Sequence, residues 1–442
     1  MKINMPVAVS EIIHTLQANG FEAYAVGGCV RDSILGRIPH DWDITTSASP
    51  AEVKKLFYRT IDTGIEHGTV TVLVEKEGYE VTTYRIDGKY EDGRHPSEVT
   101  FTRNLKEDLL RRDFTINAMA YNDTDGLVDI FGGMEDIERK VIRCVGDPEA
   151  RFTEDALRLM RAIRFAAQLG YTIEEQTRAA MQKIAGNLSK ISAERIQTEL
   201  IKTLVSPNPY MLKTAYELGL TGIFMPEFDL AMETNQNNPH HKYTVGEHSL
   251  VALMHIREDK VLRLTMLMHD LGKPYCVSVD EKGVEHYYGH PQKSEEIAKE
   301  IMQRLKFDND TIRKVCVLVR HHDEWIASGV KCMRRAVARI GEDAFPALFE
   351  VQEADILAQS DHEKGEKILR LEDNRRDYEE MVALNQCVSK AMLAVSGKDL
   401  IAAGMKPGKE IGAVLDKMLE DVIEEPEHNE KEYLLQKFLP LS

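Results

Sequence analysis

The chain has 442 residues with a formal charge of −17, and it is 43% apolar and 29% charged, a balance that fits a soluble globular protein of roughly two to four domains. Disorder and a single small domain are excluded. No stretch reaches the roughly 18 uninterrupted apolar residues of a membrane span, and the opening Met1-Lys2-Ile3-Asn4-Met5-Pro6 lacks the apolar core of a secretory signal, so a cytoplasmic protein without a membrane partner is expected.

The acidic balance argues against nonspecific coating of nucleic acid, because phosphate affinity comes largely from Lys and Arg. A local basic cleft remains compatible with it, since residues 410–442 alone carry a net −6. Six cysteines, at positions 29, 144, 276, 316, 332 and 387, show no pair at a two-residue gap and read as buried soft hydrophobes.

In chain order, residues 1–145 mix strand-like runs with turn signals: Ala23–Val26 before Gly27-Gly28, then Thr69–Val74 and Tyr79–Tyr84. An α+β head follows from this mixture. From about 150 the texture turns helical, as in Ala156–Phe165, and stays so to the end. The polar run Glu233–Pro239 reads as a boundary loop, and a long charged helix begins somewhere within 362–375. The predicted division is therefore a head over 1–145, a helical neck over 146–232, a third region over 233–362 and a helical tail over 363–442.

The densest chemistry lies in Val26-Gly27-Gly28-Cys29-Val30-Arg31-Asp32 and the following Asp41-Trp42-Asp43. Two glycines between a strand and a helix leave backbone amides open to a phosphate. Asp41 and Asp43 flank one residue, so in an extended segment both carboxylates project to one side, where a hard cation such as Mg²⁺ can bind. Two such ions activate an attacking hydroxyl and steady a leaving pyrophosphate. Glu80 is a candidate third carboxylate. Arg111 and Arg112 suit triphosphate oxygens, while Asp113 and Asn117, four apart on an expected helix, can share a face toward ribose hydroxyls. Arg158, Arg161 and Arg164 recur at steps of three as a stripe whose burial is costly without anionic partners. Asp155 accepts and Arg158 donates hydrogen bonds, and their spacing lets both address the edge of one base.

These segments together resemble the class II CCA-adding enzymes, the tRNA nucleotidyltransferases, which share a polymerase-β-like core with bacterial poly(A) polymerases. The resemblance covers residues 22 to about 200. It runs from Gly27-Gly28 through Asp43, through Arg111–Asn117, the hinge-like Asp129-Ile130-Phe131-Gly132-Gly133 and the base-reading Glu154–Arg164, to the neck motif Ser192-Ala193-Glu194-Arg195. It implies Asp41 and Asp43 as Mg²⁺ ligands, and Gly28, Arg31, Arg112, Asp155, Arg158, Arg161 and Arg164 as nucleotide contacts. It also implies CTP, ATP and tRNA as partners. The turn-rich Asp87–Ser97 resembles the flexible loop of full CCA-adding members, and Ala403–Gly412 resembles their tRNA-gripping tail segment. Nothing in the sequence fixes the oligomeric state.

A second constellation comprises His248, His269-Asp270, His290, His321-His322 and Asp355. His and Asp suit a borderline divalent metal, and His269-Asp270 follows the apolar run Leu264–Met268, which places the doublet at the mouth of a helical core. This pattern resembles the HD superfamily of metal-dependent phosphohydrolases. The resemblance implies His248, His269, Asp270 and Asp355 as ligands of a divalent transition metal, with Asp323 a rival to Asp355, and His290 and His321 as ligands of a second ion. It also implies phosphatase or 2′,3′-cyclic phosphodiesterase activity. Two rival readings are a poly(A) polymerase, disfavoured by the acidic C-terminal end, and a metal phosphohydrolase with an RNA-binding head, disfavoured by the intact Asp41, Asp43 and Arg112.

Overall fold

The computed structural model describes residues 1–88 and 99–439. From Lys89 on, the loop expected over Asp87–Ser97 lies outside them. The chain divides into two units, residues 1–224 and 225–442.

The first unit opens with α1 (Val7–Ala18), β1 (Ala23–Val26), α2 (Gly28–Ile34), β2 (Ile44–Thr46) and α3 (Pro50–Leu56). Strands β3 (Thr60–Gly64), β4 (Thr69–Val74), β5 (Glu77–Thr83), β6 (Arg85–Asp87) and β7 (Val99–Phe101) follow, then α4 (Leu105–Leu110), β8 (Met119–Asn122) and β9 (Gly126–Asp129). Seven strands form one sheet in the order β3-β4-β5-β2-β1-β8-β9. Only β2 and β5 run parallel in it, in register Ile44↔Val81, which sets the segment before β2 beside Glu80. Tyr24, Val26, Tyr84, Leu109 and Ala120 fill the core on one face of this sheet. The α+β expectation holds, and the three expected strands are β1, β4 and β5.

Helices then take over: α5 (Gly133–Arg139), α6 (Pro148–Glu154), α7 (Leu157–Leu169), α8 (Glu175–Ile184), α9 (Ala193–Leu204), α10 (Leu212–Glu217) and α11 (Thr221–Phe224), with the two-residue strands β10 (Val141–Ile142) and β11 (Thr172–Ile173) between them. Asp129 caps α5 by accepting from the amides of Gly133 and Met134 at 2.8 and 2.9 Å. Asp147 caps α6 through the Ala150 amide at 3.3 Å.

The second unit contains α12 (Pro226–Glu233), α13 (Val245–Leu253), α14 (Lys260–Met268), the hairpin β12 (Ser278–Val279) and β13 (Glu285–His286), α15 (His290–Arg304), α16 (Asn309–His321), α17 (Val330–Ile340) and α18 (Phe345–Ala358). After them come α19 (Lys364–Ala383), α20 (Gly397–Ala402), α21 (Lys409–Glu424) and α22 (Lys431–Phe438). The units part at 224/225, ahead of the expected edge at 232, because α12 packs on α13. The expected charged helix is α19. The last helices bury Val395, Leu400, Met418, Val422 and Leu434 as a core of their own. No helix among the described residues is long and apolar enough to cross a membrane. All six cysteines are free and four of them are buried.

Candidate functional site

In the first unit, a cleft of about 450 Å³ brings together Asp41, Asp43, Arg31, Arg112, Arg161 and Phe165. Trp42 is buried while Asp41 and Asp43 on either side keep exposed edges. Both carboxylates therefore project from one side of the segment entering β2, and the Asp43 carbonyl accepts from the Val26 amide at 3.0 Å. Glu80 lines the adjoining cavity with the same two aspartates. Lost hydration raises the Asp43 carboxyl, Arg112 draws it back down, and the Asp41 charge adds to the rise. Glu80 is likewise raised by burial and then by Asp43 and Asp41. Three carboxylates that repel one another, offering only hard oxygen ligands, are a set that Mg²⁺ fits and relieves.

Gly27 has φ +85°, and a Cβ there would stand 2.8 Å from Arg112 Nη1. Its glycine is thus required by the guanidinium packed against it as much as by any ligand. Arg112 Nε is buried without a hydrogen-bond partner, and burial lowers its pKa against the pull of Asp108 and Asp43. A cation left in that condition is suited to an incoming anion.

The expected helix over Asp113–Asn117 does not form: Phe114 bridges to Cys144, and only Thr115–Asn117 make a short 3₁₀ turn. Asp113 and Asn117 meet nonetheless, Asn117 Nδ2 donating to Asp113 Oδ1 at 3.2 Å. Both are largely committed inside the protein, because Arg161 Nε donates to Asp113 Oδ2 at 2.7 Å and Arg31 Nη1 to Asn117 Oδ1 at 2.6 Å. They hold Arg31 and Arg161 in place and line the same cleft.

The arginine stripe is neutralised within the chain. Arg158 donates to Glu154 Oε2 at 2.8 Å and to the carbonyls of Arg151 and Arg111, each at 2.9 Å. Arg164 Nε lies 2.9 Å from Glu199 Oε2, and burial lowers the Arg164 pKa to about 10 although Glu199 opposes the shift. The three-residue spacing of Asp155 and Arg158 does not lie on one helix, since Asp155 is the extended residue after α6, with φ −136°. Arg195 Nη2 donates to its Oδ2 at 2.9 Å. Among the described residues lining the cleft, Arg161 and Arg164 are present and Asp155 and Arg158 are not. Phe165, to which the sequence assigned no role, carries the guanidinium carbons of Arg31, Arg161 and Arg164 at 5.1, 5.4 and 4.1 Å from its centroid. Glu199 was also missed. Its signal was a carboxylate on the α9 stripe of Ile196, Leu200 and Thr203.

In the second unit, α13, α14, α15, α16 and α18 converge on a buried cluster. His248 Nε2 lies 2.7 Å from Asp355 Oδ1 and 3.6 Å from Asp270 Oδ2. His269 Nε2 lies 3.3 Å from Asp270 Oδ2, and His290 and His322 Nε2 lie 3.3 and 3.5 Å from Asp270 Oδ1. The ligand atoms of His248, His269 and Asp270, and those of Asp270, His290 and His322, form two groups, each within 4.8 Å. The second group corrects the expectation of His321: its Nδ1 bonds Glu324, whereas His322 continues the buried stripe of Val315, Leu318 and Val319. Asp355, not its rival Asp323, makes the bond to His248.

His269, His290 and His322 each donate from Nδ1 to the carbonyl three residues back, at 2.8, 2.8 and 2.7 Å. This turns each Nε2 inward. His269 Nε2 and Asp270 Oδ1 are buried without a hydrogen-bond partner. Burial pushes the His269 pKa down, but Asp270 and Asp355 overcome it and hold it at about 10. A proton there stands where a divalent cation fits. His269 and Asp270 are at most 1% exposed, and Asp270 lines the floor of a cavity of about 340 Å³ with His290, His322 and Asp355. Lys273 Nζ, 2.7 Å from Asp270 Oδ2, and the half-buried His241 complete the wall.

Comparison with known proteins gives three family matches: a poly A polymerase head domain over residues 23–143, a probable RNA and SrmB-binding site of polymerase A over 170–232, and tRNA nucleotidyltransferase domain 2 over 290–438. The CCA-adding enzyme of Levilactobacillus brevis is 37% identical over 430 residues, 96% of this chain and 95% of that protein. That of Lactiplantibacillus plantarum is 55% identical over 216 residues, a match that spans only 51% of its length and 49% of this chain. A crystal structure of the Bacillus stearothermophilus CCA-adding enzyme in complex with CTP matches with a TM-score of 0.69 at 30% identity, covering 97% of this chain and 96% of that one.

Proposed function

Because the chain belongs to the family of CCA-adding enzymes, we propose that it adds C, C and A to the 3′ end of tRNA from CTP and ATP without a nucleic-acid template. The observation that carries this reading is the single cleft in which Asp41 and Asp43 face Arg31, Arg112 and Arg161. Asp41 and Asp43, with Glu80 of the adjoining cavity as a third carboxylate, would hold Mg²⁺, which would lower the pKa of the attacking hydroxyl and offset charge on the leaving pyrophosphate. Arg112, with its unpartnered Nε, receives the triphosphate, and Phe165 keeps Arg31, Arg161 and Arg164 at a fixed height beside it. The tRNA 3′ oxygen attacks the α-phosphorus in line. That P–O bond forms as the bond to pyrophosphate breaks, and the hydroxyl proton leaves to solvent. Reading a base edge with Asp155 and Arg158 requires Asp155 to release Arg195 and Arg158 to release Glu154. The segment Ala403–Gly412, which leads into the first turn of α21, serves as a tRNA grip.

The test is incubation of the purified protein with Mg²⁺, CTP, ATP and three labelled RNAs: tRNA ending before CCA, tRNA ending in CC, and an unstructured oligonucleotide. Addition that stops at CCA and spares the oligonucleotide is expected. Long A tracts would instead indicate a poly(A) polymerase.

The second unit supports a metal-dependent phosphohydrolase. Its carrying observation is the inward His269 Nε2 and Asp270 Oδ1 without hydrogen-bond partners. His248, His269, Asp270 and Asp355 would hold one divalent transition metal, and Asp270, His290 and His322 a second. Such an ion polarises the phosphoryl oxygen of a bound ester. Elemental analysis is expected to find Mn, Fe, Co, Ni or Zn in the purified protein. Absence of metal, together with no hydrolysis of phosphate esters under any of these cations, would reject the reading.

A further inference from the structure

The cavity over the histidine-aspartate cluster continues past it on two sides, and each side ends in an exposed aromatic ring. On one side Tyr288 is 78% exposed, and its ring lies parallel to that of His286, with centroids 5.5 Å apart and 10° between the planes. His286 Nε2 is itself held by Asp280 Oδ2 at 3.1 Å. One face of the tyrosine is thus backed while the ring as a whole stays open to solvent. Its position is tied to the cluster through the chain, since His290 stands two residues on and its Nδ1 donates to the Tyr287 carbonyl at 2.8 Å.

On the other side Trp325, three residues after His322, is 68% exposed. The Arg370 guanidinium carbon sits 2.9 Å from its ring centroid, and Arg370 Nη2 donates to the Ile326 carbonyl at 3.0 Å. Tyr288 lines a cavity of about 340 Å³ and Trp325 one of about 100 Å³, and the two share His322, Asp355 and Lys367. Lys273 adds a second cation to the larger one.

An isolated phosphate ester offers nothing for an aromatic ring to stack on. Rings backed by a cation or an imidazole and open outward are what an unpaired base stacks on. We propose that Tyr288 and Trp325 are base-stacking platforms on either side of the cluster, so that its ligand is the end of a single RNA strand, whose last two unpaired bases stack on the two rings with the terminal phosphate at the cluster between them. The proposal deepens the phosphohydrolase reading and rests on it for the chemistry, though not for the binding.

Two measurements on the full chain separate the two. In the first, Tyr288→Ala and Trp325→Ala are assayed with Mn²⁺ on p-nitrophenyl phosphate and on the trinucleotide CCA bearing a 3′ phosphate. KM for the trinucleotide is expected to rise roughly tenfold or more per ring, with p-nitrophenyl phosphate turnover unchanged and with rescue by Tyr288→Phe and Trp325→Phe. In the second, Trp42→Phe leaves Trp325 as the sole tryptophan of the two in the chain, and the trinucleotide is expected to quench its fluorescence. An unaltered trinucleotide KM and no quenching, with p-nitrophenyl phosphate still hydrolysed, would overturn the platforms while the phosphohydrolase stands. Quenching that Tyr288→Ala weakens, without any hydrolysis, would keep the platforms and remove the phosphohydrolase. Equal loss on both substrates would make the rings props of the cluster and overturn the proposal.

Discussion

The two sites meet the same electrostatic problem, carboxylates and cations held close together, in opposite ways. In the nucleotidyltransferase cleft the cations are side chains: Arg161 is paired with Asp113 and Arg164 with Glu199, while Asp41 and Asp43 stand at an exposed edge. In the second unit the histidine and aspartate side chains are buried among helices at the floor of a cavity, and inward-facing atoms of His269 and Asp270 are left without hydrogen-bond partners. The first arrangement suits ions that arrive and leave with a triphosphate, and the second an ion that stays through purification. Net charge decides little here, because each site carries its own counter-charges.

The sharpest way to break this contrast is to remove the exposed carboxylates. Asp41→Ala and Asp43→Ala are each expected to lower CTP incorporation by more than about 10²-fold, with tRNA binding nearly intact and the metal content of the second unit unchanged. Retained turnover in both variants would move the metal elsewhere. Next in size is the internal neutralisation of the arginines. Glu199→Ala leaves the Arg164 guanidinium, 9% exposed, without its counter-charge, which costs about 3–5 kcal/mol in urea unfolding of the first unit. Arg164→Met combined with Glu199→Leu should recover much of this, since a buried pair replaced by apolar groups is often close to neutral. If Glu199→Ala unfolds like the wild type, the stripe is held by nucleotide rather than by the fold.

The resident-ion side of the contrast is tested by removal of the metal. At a free metal concentration of about 100 times Kd, loading is expected to stabilise the second unit by about 2.7 kcal/mol, read as the difference in thermal unfolding before and after chelation. Asp270→Ala should abolish that increment and leave nucleotide addition untouched, because Asp270 belongs to both ligand groups.

What the sequence made legible follows from how local each signal is. Asp41 and Asp43 were readable because a two-residue period in an extended segment decides where both side chains point. The His269-Asp270 doublet was readable because an apolar run leads straight into it. The pairing of Asp155 with Arg195 and of Arg158 with Glu154 was not readable, because a spacing of three fixes a shared face only inside one helix, and the chain breaks between α6 and α7. The choice of His321 over His322 ignored a period that was available: the buried stripe of α16 steps from Val315 through Leu318 and Val319 to His322. Glu199 and Phe165 could not be assigned a partner in advance, because the residues they meet come from other turns of the fold and no local pattern encodes a tertiary pairing.

The smallest effect sharpens the contrast through pH. Burial raises the Asp113 carboxyl, but Arg161 overcomes it and the value falls from 3.8 to about 2. A carboxylate depressed in the folded state contributes stability that is complete above the unfolded value and is lost as pH falls through the folded one. The first unit should therefore lose about 2 kcal/mol between pH 4 and pH 2 from this group, measured by urea unfolding across that range. In Asp113→Asn the slope over that interval should flatten, and the variant should be less stable than wild type at pH 7 by a similar amount. An unchanged slope would mean that Arg161 finds another carboxylate once Asp113 is neutral, and that the arginines of this cleft are held by the surrounding charge as a whole rather than by single partners.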